Sequence, residues 1–190
     1  KHFDSEGQIK QAKVFVCGLG YFELYVNGER IGDDYLVPNM TDYTKRFDLE
    51  KGPIAISGNM SRHRVMYLAY DITKQIQEGR NALGDIMGNG FYDAVTLNIP
   101  CSKFGDECLR LQLQLTYADG TTQTVISDNT WETKPSAITL NGVHAGEIYN
   151  ANLETPLWAT TEDNSQGWQR VKCIEGPTGM MTAHTAPTDK

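Results

Sequence analysis

The chain has 190 residues, of which 39% are hydrophobic and 22% are charged. This length suits a single domain, and roughly 70% of the unfolded surface can be buried at this size without metal or disulfide crosslinks. The 17 basic and 24 acidic residues give a net charge of −7. That charge argues against nucleic acid or an anionic membrane as a partner, because both attract basic surfaces. No apolar run approaches the ~20 residues that a membrane helix needs.

Alternation of apolar and polar residues predicts β-strands along most of the chain. The clearest strand covers residues 108–117, where Leu111 and Leu113 point to one face and Arg110 and Gln112 to the other. In chain order, the predicted strands are residues 12–17, 21–26, 29–31, 64–70, 82–87, 108–117, 121–126, 138–140, 168–173 and 180–184.

Turn residues separate these strands. Apolar residues at helical spacing occur in only one short stretch. Asn27-Gly28 tolerates positive φ and joins two strands in a hairpin, and Asp119-Gly120 does the same further on. One short helix is predicted over residues 71–78, with Asp71 as its cap and Gly79 as its stop. Many short strands with one short helix predict an all-β fold, an antiparallel β-sandwich.

The same pattern predicts one β-sandwich domain over residues 1–185. Residues 186–190 are polar and contain Pro187, which is typical of a linker, so we expect a piece of a longer protein. Residues 47–62 and 151–166 have the composition of long loops. Long loops on a rigid sandwich are common ligand-binding segments, but tolerated insertions have the same composition.

The four cysteines match no zinc pattern. Cys101 and Cys108 flank a short loop and would close it as a disulfide if their Cα atoms lie close enough, which the sequence does not show. Cys17 belongs to an apolar strand pattern and is predicted to be a buried, inert thiol.

Motifs for catalysis are missing from the sequence. It contains no phosphate-binding glycine loop and no G-x-S-x-G nucleophile elbow. Glycoside cleavage needs two carboxyl groups ~5 to 9.5 Å apart. Asp42, Asp93 or Glu147 would qualify if the fold paired them, but solvated turn acids are the favoured explanation.

Oxygen-rich and aromatic residues follow several predicted strands. They are Asp33, Asp34, Asn39, Asp42, Tyr43 and the run Gly88-Asn89-Gly90-Phe91-Tyr92-Asp93. Carboxylate and amide oxygens are the ligands that Ca²⁺ prefers, and aromatic faces beside hydrogen-bonding groups suit sugar rings. Turn chemistry is the alternative, because Asp, Asn and Gly also populate turns for conformational reasons.

An ordered set of motifs resembles the N-terminal β-sandwich domain of bacterial α-L-rhamnosidases. The resemblance begins at residues 18–28, GLGYFELYVNG, and continues through four later stretches. These are PNMTDY at 38–43, RVMYLAYDIT at 64–73, NALG at 81–84 followed by GNGFY at 88–92, and GEIYNA at 146–151. Where the family pattern has tryptophan this chain has Met40 and Phe91, and it has Asn150 for aspartate. The match spans nearly the whole chain.

The resemblance implies a jelly-roll, galactose-binding-like sandwich that is not catalytic by itself. Enzymes of this family hydrolyse terminal α-L-rhamnosyl bonds of plant glycans, with acid and base on a helical barrel outside these 190 residues. By the same resemblance, Asp42, Tyr43, Asn89 and Phe91 are the candidate contacts to a rhamnose-containing glycan. Asp42 and Asn89 are the candidate ligands of calcium. The expected compartment is periplasmic or extracellular.

Three functions remain open at this point. The first is an accessory domain that binds L-rhamnose, and the second is a structural domain that packs against the catalytic domain and binds no ligand. A large exposed apolar patch on one sheet face would favour the second. The third is a self-contained glycan hydrolase that uses two of the carboxylates named above.

Overall fold

The computed structural model describes residues 1–43, 63–93, 103–162 and 166–190. Within these ranges, the strands are β1 His2–Ser5, β2 Ile9–Leu19, β3 Tyr21–Val26, β4 Glu29–Arg30, β5 Arg64–Asp71, β6 Gly79–Gly88, β7 Cys108–Tyr117, β8 Thr122–Ile126, β9 Glu132–Thr133, β10 Ile138–Gly142, β11 Gly146–Tyr149, β12 Gln169–Arg170 and β13 Met180–Ala183. A 3₁₀ helix covers Ala151–Leu153. The predicted insertion at residues 47–62 and the Cys101 half of the predicted disulfide lie outside the described residues.

Two main sheets confirm the predicted all-β sandwich. One has the strand order β1-β6-β3-β4 and the other β13-β5-β2-β7-β8, while β10 with β11 and β9 with β12 form two-stranded sheets. In the part of the chain that the structure describes, the strands pair antiparallel except for β5 and β13, which form a parallel pair at a sheet edge. Alternation alone predicts strands but not their direction, so the sequence did not reveal this pair.

The core lies between the two main sheets, where their alternating apolar residues meet. Val14 and Val16 of β2 and Leu113 of β7 are fully buried there, as the alternation of residues 108–117 predicts. A smaller cluster covers the outer face of the five-stranded sheet and includes Cys17 and Leu19. Cys17 is buried as predicted, and burial raises the pKa of its thiol to about 12, which keeps it unreactive.

The Asn27-Gly28 turn forms as predicted, whereas the helix at residues 71–78 does not. Asn27 and Gly28 have φ of 51° and 86°, the left-handed values that a tight hairpin turn requires. Asp71 ends β5, and the backbone N–H of Ile72 donates to Ala12 O at 2.9 Å, which ties the chain to β2. The segment therefore stays on the sheet and makes a turn in which the Gln75 N–H donates to Ile72 O.

Trp158 and Ala159 pack against the outer face of the four-stranded sheet. The backbone N–H of Gly28 donates to Ala159 O at 2.9 Å. Gly84 of β6 lies directly beneath Trp158, since a Cβ at Gly84 would stand only 2.5 Å from the Trp158 ring. The Trp158 ring meets Tyr25 edge-on with centroids 5.2 Å apart. The segment that precedes Trp158 carries β10, β11 and the 3₁₀ helix.

Residues 188–190, in the predicted linker, lie against the sandwich. The Tyr35 N–H donates to Asp189 O at 3.0 Å, and the Lys190 ammonium lies 2.9 Å from Asp34 Oδ1. The Thr188 hydroxyl also donates to Asp34 Oδ1. Within the described ranges, no helix is long and apolar enough to cross a membrane.

Candidate functional site

The Gly88-Asn89-Gly90 turn is held in place by the β10–β11 hairpin. It follows β6, and the Asn89 backbone N–H donates to Asn141 Oδ1 of β10 at 2.7 Å. The Asp93 N–H closes the turn by donating to Asn89 O at 3.1 Å. Gly20 makes this approach possible, because a Cβ there would stand 2.0 Å from Asn89 O. The turn therefore has one defined position.

Carboxylates surround the Asn89 amide. Its Nδ2 donates to Glu107 Oε1, and it lies 3.5 Å from Asp93 Oδ2. Lys103 balances the charge, with its ammonium 3.1 Å from Asp93 Oδ1 and 3.3 Å from Asp106 Oδ1. The Asn89 side chain therefore presents its N–H groups to two carboxylates, so its orientation is fixed by charge-assisted hydrogen bonds.

Phe91 lies between the start of β3 and the tip of the hairpin. Its ring meets Tyr21 edge-on with centroids 6.5 Å apart, and it meets His144 edge-on at 6.0 Å. Phe91 is half-buried, so part of the ring is open to solvent. An aromatic surface beside amide and carboxylate groups is the combination that suits a sugar ring.

Asp42 and Tyr43 have different surroundings from each other. The Asp42 carboxylate lies 3.2 Å from His63 Nδ1 and is partly exposed. Tyr43 is only 1% exposed and packs edge-on against Tyr92 and Phe104, with centroids 5.0 and 4.8 Å away. This burial argues against the predicted sugar contact of Tyr43, since no face of its ring is open. Its contact with Tyr92 instead brings the Asp42 and Asn89 segments to the same end of the sandwich.

The calcium prediction finds little support in these contacts. Asn89 offers N–H groups to its neighbours, and Asp42 faces a histidine. Among the described residues, no group of three or more His, Cys, Asp or Glu side chains is arranged to hold a metal ion. The donor set around Asp42 and Asn89 therefore does not fit the six to eight oxygens that Ca²⁺ takes.

The three carboxylates of the hydrolase hypothesis have different surroundings. Asp42 faces His63, Asp93 pairs with Lys103, and Glu147 is exposed on β11. Asp42 and Glu147 have the surroundings of a turn or surface acid, whereas the Asp93 side chain is only 13% exposed and is held by Lys103.

Asp85 is a buried acid that the sequence reading did not single out. It lies opposite Leu24 in the β3–β6 register and shares the core-facing side of β6 with Leu83 and Met87. Both carboxyl oxygens are inaccessible and lack a hydrogen-bond partner. Burial, together with the charge of Glu23, raises the pKa of Asp85 well above its usual value. The signal was present in the strand alternation, which places an acid among apolar residues.

Asn141 and Glu107 also act at the Asn89 turn without having been predicted. Both contacts join residues far apart in the sequence, by 52 and 18 positions. No local pattern marks either residue, so only the folded topology reveals them.

Known proteins resemble this chain over nearly all of its length. A family model described as the α-L-rhamnosidase N-terminal domain matches residues 7–55 and 58–190. An α-L-rhamnosidase of Formosa agariphila is 35% identical over 189 residues, which cover 96% of this chain and 18% of that protein.

Solved structures give the same result. The α-L-rhamnosidase from Dictyoglumus thermophilum superposes with a TM-score of 0.83 at 34% identity, over 99% of this chain and 19% of that one. The Streptomyces avermitilis α-L-rhamnosidase, solved in complex with L-rhamnose, superposes with a TM-score of 0.79 at 27% identity. The match covers 95% of this chain and 16% of that one. The chain thus spans less than a fifth of the length of these relatives. It belongs to the family of α-L-rhamnosidase N-terminal domains.

Proposed function

We propose that the chain is a non-catalytic accessory domain of a longer α-L-rhamnosidase that acts on rhamnose-containing glycans. The observation that carries this proposal is the match to the α-L-rhamnosidase N-terminal domain over residues 7–55 and 58–190, in relatives of which this chain spans less than a fifth. Glycoside cleavage needs two carboxyl groups facing each other across the sugar. Asp42 and Asp93 each face a basic partner instead, and Glu147 lies on an exposed strand.

Activity of the chain by itself tests this proposal. We expect residues 1–190 to leave an aryl α-L-rhamnoside intact over prolonged incubation. Turnover that disappears in Glu147→Gln would contradict the proposal and support the self-contained hydrolase. If turnover occurred, its loss in Asp93→Asn but not in Lys103→Met would assign the effect to the Asp93 carboxylate rather than to its ion pair with Lys103.

A second candidate function is contact with L-rhamnose beside Asn89. The partly open ring of Phe91 favours it, because this ring lies next to His144 and close to a turn rich in hydrogen-bonding groups. Asn89 and Phe91 would make the contact, whereas Tyr43 is enclosed in the core. The affinity expected of one shallow site is weak, in the millimolar range for which about −4 kcal/mol suffices.

Titration with L-rhamnose, with and without Ca²⁺, tests this second candidate. Chemical-shift changes confined to Phe91, His144 and the Asn89 turn would support it, and Phe91→Ala should abolish them. Phe15→Ala, which removes a half-buried ring on β2, is the matched control. No response in either condition removes the sugar site, and a response only with Ca²⁺ would restore the calcium proposal.

The proposed compartment is the periplasm or the cell exterior, because enzymes that act on plant glycans meet them there. Fractionation of cells that express the longer protein, with detection of this domain, tests it. Recovery in the cytoplasmic fraction would contradict it.

A further inference from the structure

The segment that carries β10, β11 and the 3₁₀ helix is exposed over most of its length. We call residues 138–153, which comprise β10, β11 and the 3₁₀ helix, the arm. Every residue from Val143 to Glu154 is exposed, including all four residues of β11. Four of these residues are large and apolar: Val143, Ile148, Tyr149 and Leu153, with 44% to 57% of their surface accessible.

A hairpin of this kind is not stable in water by itself. β11 pairs only with β10 within the described part of the chain, and a lone two-stranded hairpin is marginally stable at best. Ile148 and Tyr149 are adjacent in one strand, so their side chains point to opposite faces, and both faces are exposed. Such apolar exposure on both sides of a strand indicates a surface that another body covers.

The base of the arm is fixed firmly enough to present this surface in one position. Asn141 accepts the hydrogen bond from the Asn89 turn, and the Asn150 N–H donates to Ala137 O at 2.8 Å. The Tyr149 hydroxyl donates to Glu154 across the turn into the 3₁₀ helix. The arm is therefore a preformed projection, and little ordering entropy is lost when it binds.

We propose that the arm is the surface on which the rest of the longer polypeptide docks; this inference rests on the proposed function. The chain spans 18% of the Formosa agariphila relative, so about four-fifths of such a protein lies outside it. A covalently linked partner is held at millimolar effective concentration, so a small apolar contact is enough. A second copy of the chain would have to associate from solution, where stable interfaces bury about 1,200–2,000 Å². The arm offers only four large apolar side chains for such an interface.

Hydroxyl-radical footprinting of the longer protein tests the arm directly. Ile126 of β8, in the opposite sheet, is 48% exposed and serves as the reference for Ile148, which is 57% exposed. Tyr149, which is 53% exposed, is compared with the same residue in the chain of residues 1–190, because Tyr35 lies against Arg30 and Asp189. If the arm is docked, Ile148 and Tyr149 should be oxidised at least about fivefold more slowly than these references, since docking would bury them in the core of an interface. Equal reactivity within each pair would overturn the proposal.

Two other occupants of the arm, a second copy of the chain and a sugar, would give different results. Protection that is lost on dilution, with a matching fall in mass by light scattering, assigns the arm to a second copy and overturns the proposal. Protection that appears only after addition of L-rhamnose assigns the arm to a sugar and also overturns the proposal.

In the longer protein, Ile148→Ser should lower the melting temperature by several degrees, and Ile126→Ser should lower it less. Turnover of an aryl α-L-rhamnoside by the longer protein tests the proposed function separately, since an active enzyme with an unprotected arm would remove only the docking inference.

Discussion

The side-chain oxygen of Asn141 accepts a hydrogen bond from the backbone N–H of Asn89 at 2.7 Å. This contact joins the GNGFY stretch to the hairpin that carries the GEIYNA stretch, although the two lie far apart in the sequence. The candidate sugar contact and the arm therefore share one support. A change at that support should affect both.

Substitution of Asn141 by alanine tests this coupling. The Asn89 N–H would lose its acceptor, and the free energy of unfolding should fall by about 1–2 kcal/mol, the usual effect of one lost hydrogen bond to a part-buried donor. Amide exchange at Asn89 should become faster. Asn141→Asp keeps an acceptor oxygen and should restore most of the protection, whereas Asn152→Ala, in the exposed 3₁₀ helix, should leave Asn89 unaffected.

A methyl group at Gly20 should displace the Asn89 turn. The new Cβ would stand 2.0 Å from a backbone oxygen, which cannot move aside as a flexible side chain can. We expect Gly20→Ala to destabilise the fold by about 1–3 kcal/mol, as overpacking usually does. Chemical denaturation measures this loss. Gly176 has open space around it, so Gly176→Ala is the control, and equal stability of the two variants would contradict the close approach.

Asp85 should make the protein less stable as the pH rises. Its pKa is raised in the folded state, so folding is favoured while the carboxyl group is protonated in both states. That advantage is lost progressively as the pH rises from the usual value of 3.8 toward the raised pKa. Asp85→Leu removes an unpartnered buried acid and should raise the free energy of unfolding at pH 7 by about 1–3 kcal/mol, with a smaller gain at pH 4.

Asp4→Leu is the matched control for this prediction, since Asp4 is exposed on the neighbouring strand β1. Denaturation curves at pH 4 and pH 7 give both comparisons. If Asp85→Leu raised the free energy of unfolding at pH 7 no more than Asp4→Leu did, the Asp85 carboxyl group would be hydrogen-bonded or hydrated in solution, and the prediction would be wrong.

Asp34, in contrast to Asp85, should make the protein less stable as the pH falls. Burial works to raise its pKa, but the hydrogen bonds that it accepts outweigh burial and hold the pKa below its usual range. These bonds come from Thr188, Lys190 and Tyr70. A lowered pKa contributes stability above the unfolded value, and this contribution is lost as the pH falls through the folded pKa.

Asp34→Asn should therefore lower stability at pH 7 by about 1 kcal/mol, as for a hydrogen-bonded ion pair at a partly buried site, and should have little effect near pH 3. Asp33→Asn, at the exposed neighbour that shares Lys190, is the control and should change little. Limited proteolysis should also cut within residues 184–190 sooner in Asp34→Asn. Identical digestion of the two variants would show that Asp34 does not hold this segment.

The strands were largely predictable because their signals are local. Residues 108–117 alternate without interruption, and β7 has the predicted bounds. The helix at 71–78 failed because a backbone bond from Ile72 to Ala12, which no local pattern encodes, holds that segment on the sheet.

The candidate site was less predictable, because its contacts join distant segments. Tyr43 was a candidate sugar contact by resemblance, but Tyr92 and Phe104 enclose it. Phe91 kept a partly open ring, and Asn89 was correctly placed in a turn, yet the partners of Asn89 came from β10 and from the segment before β7. Sequence reasoning found the residue types at this end of the sandwich but not their mutual contacts.

The most direct test of the accessory role is turnover of an aryl α-L-rhamnoside, measured side by side for the longer protein and for residues 1–190. We expect hydrolysis by the longer protein and none by residues 1–190 at equal molar concentration. Hydrolysis by the shorter chain, or a longer protein that leaves the rhamnoside intact, would contradict it.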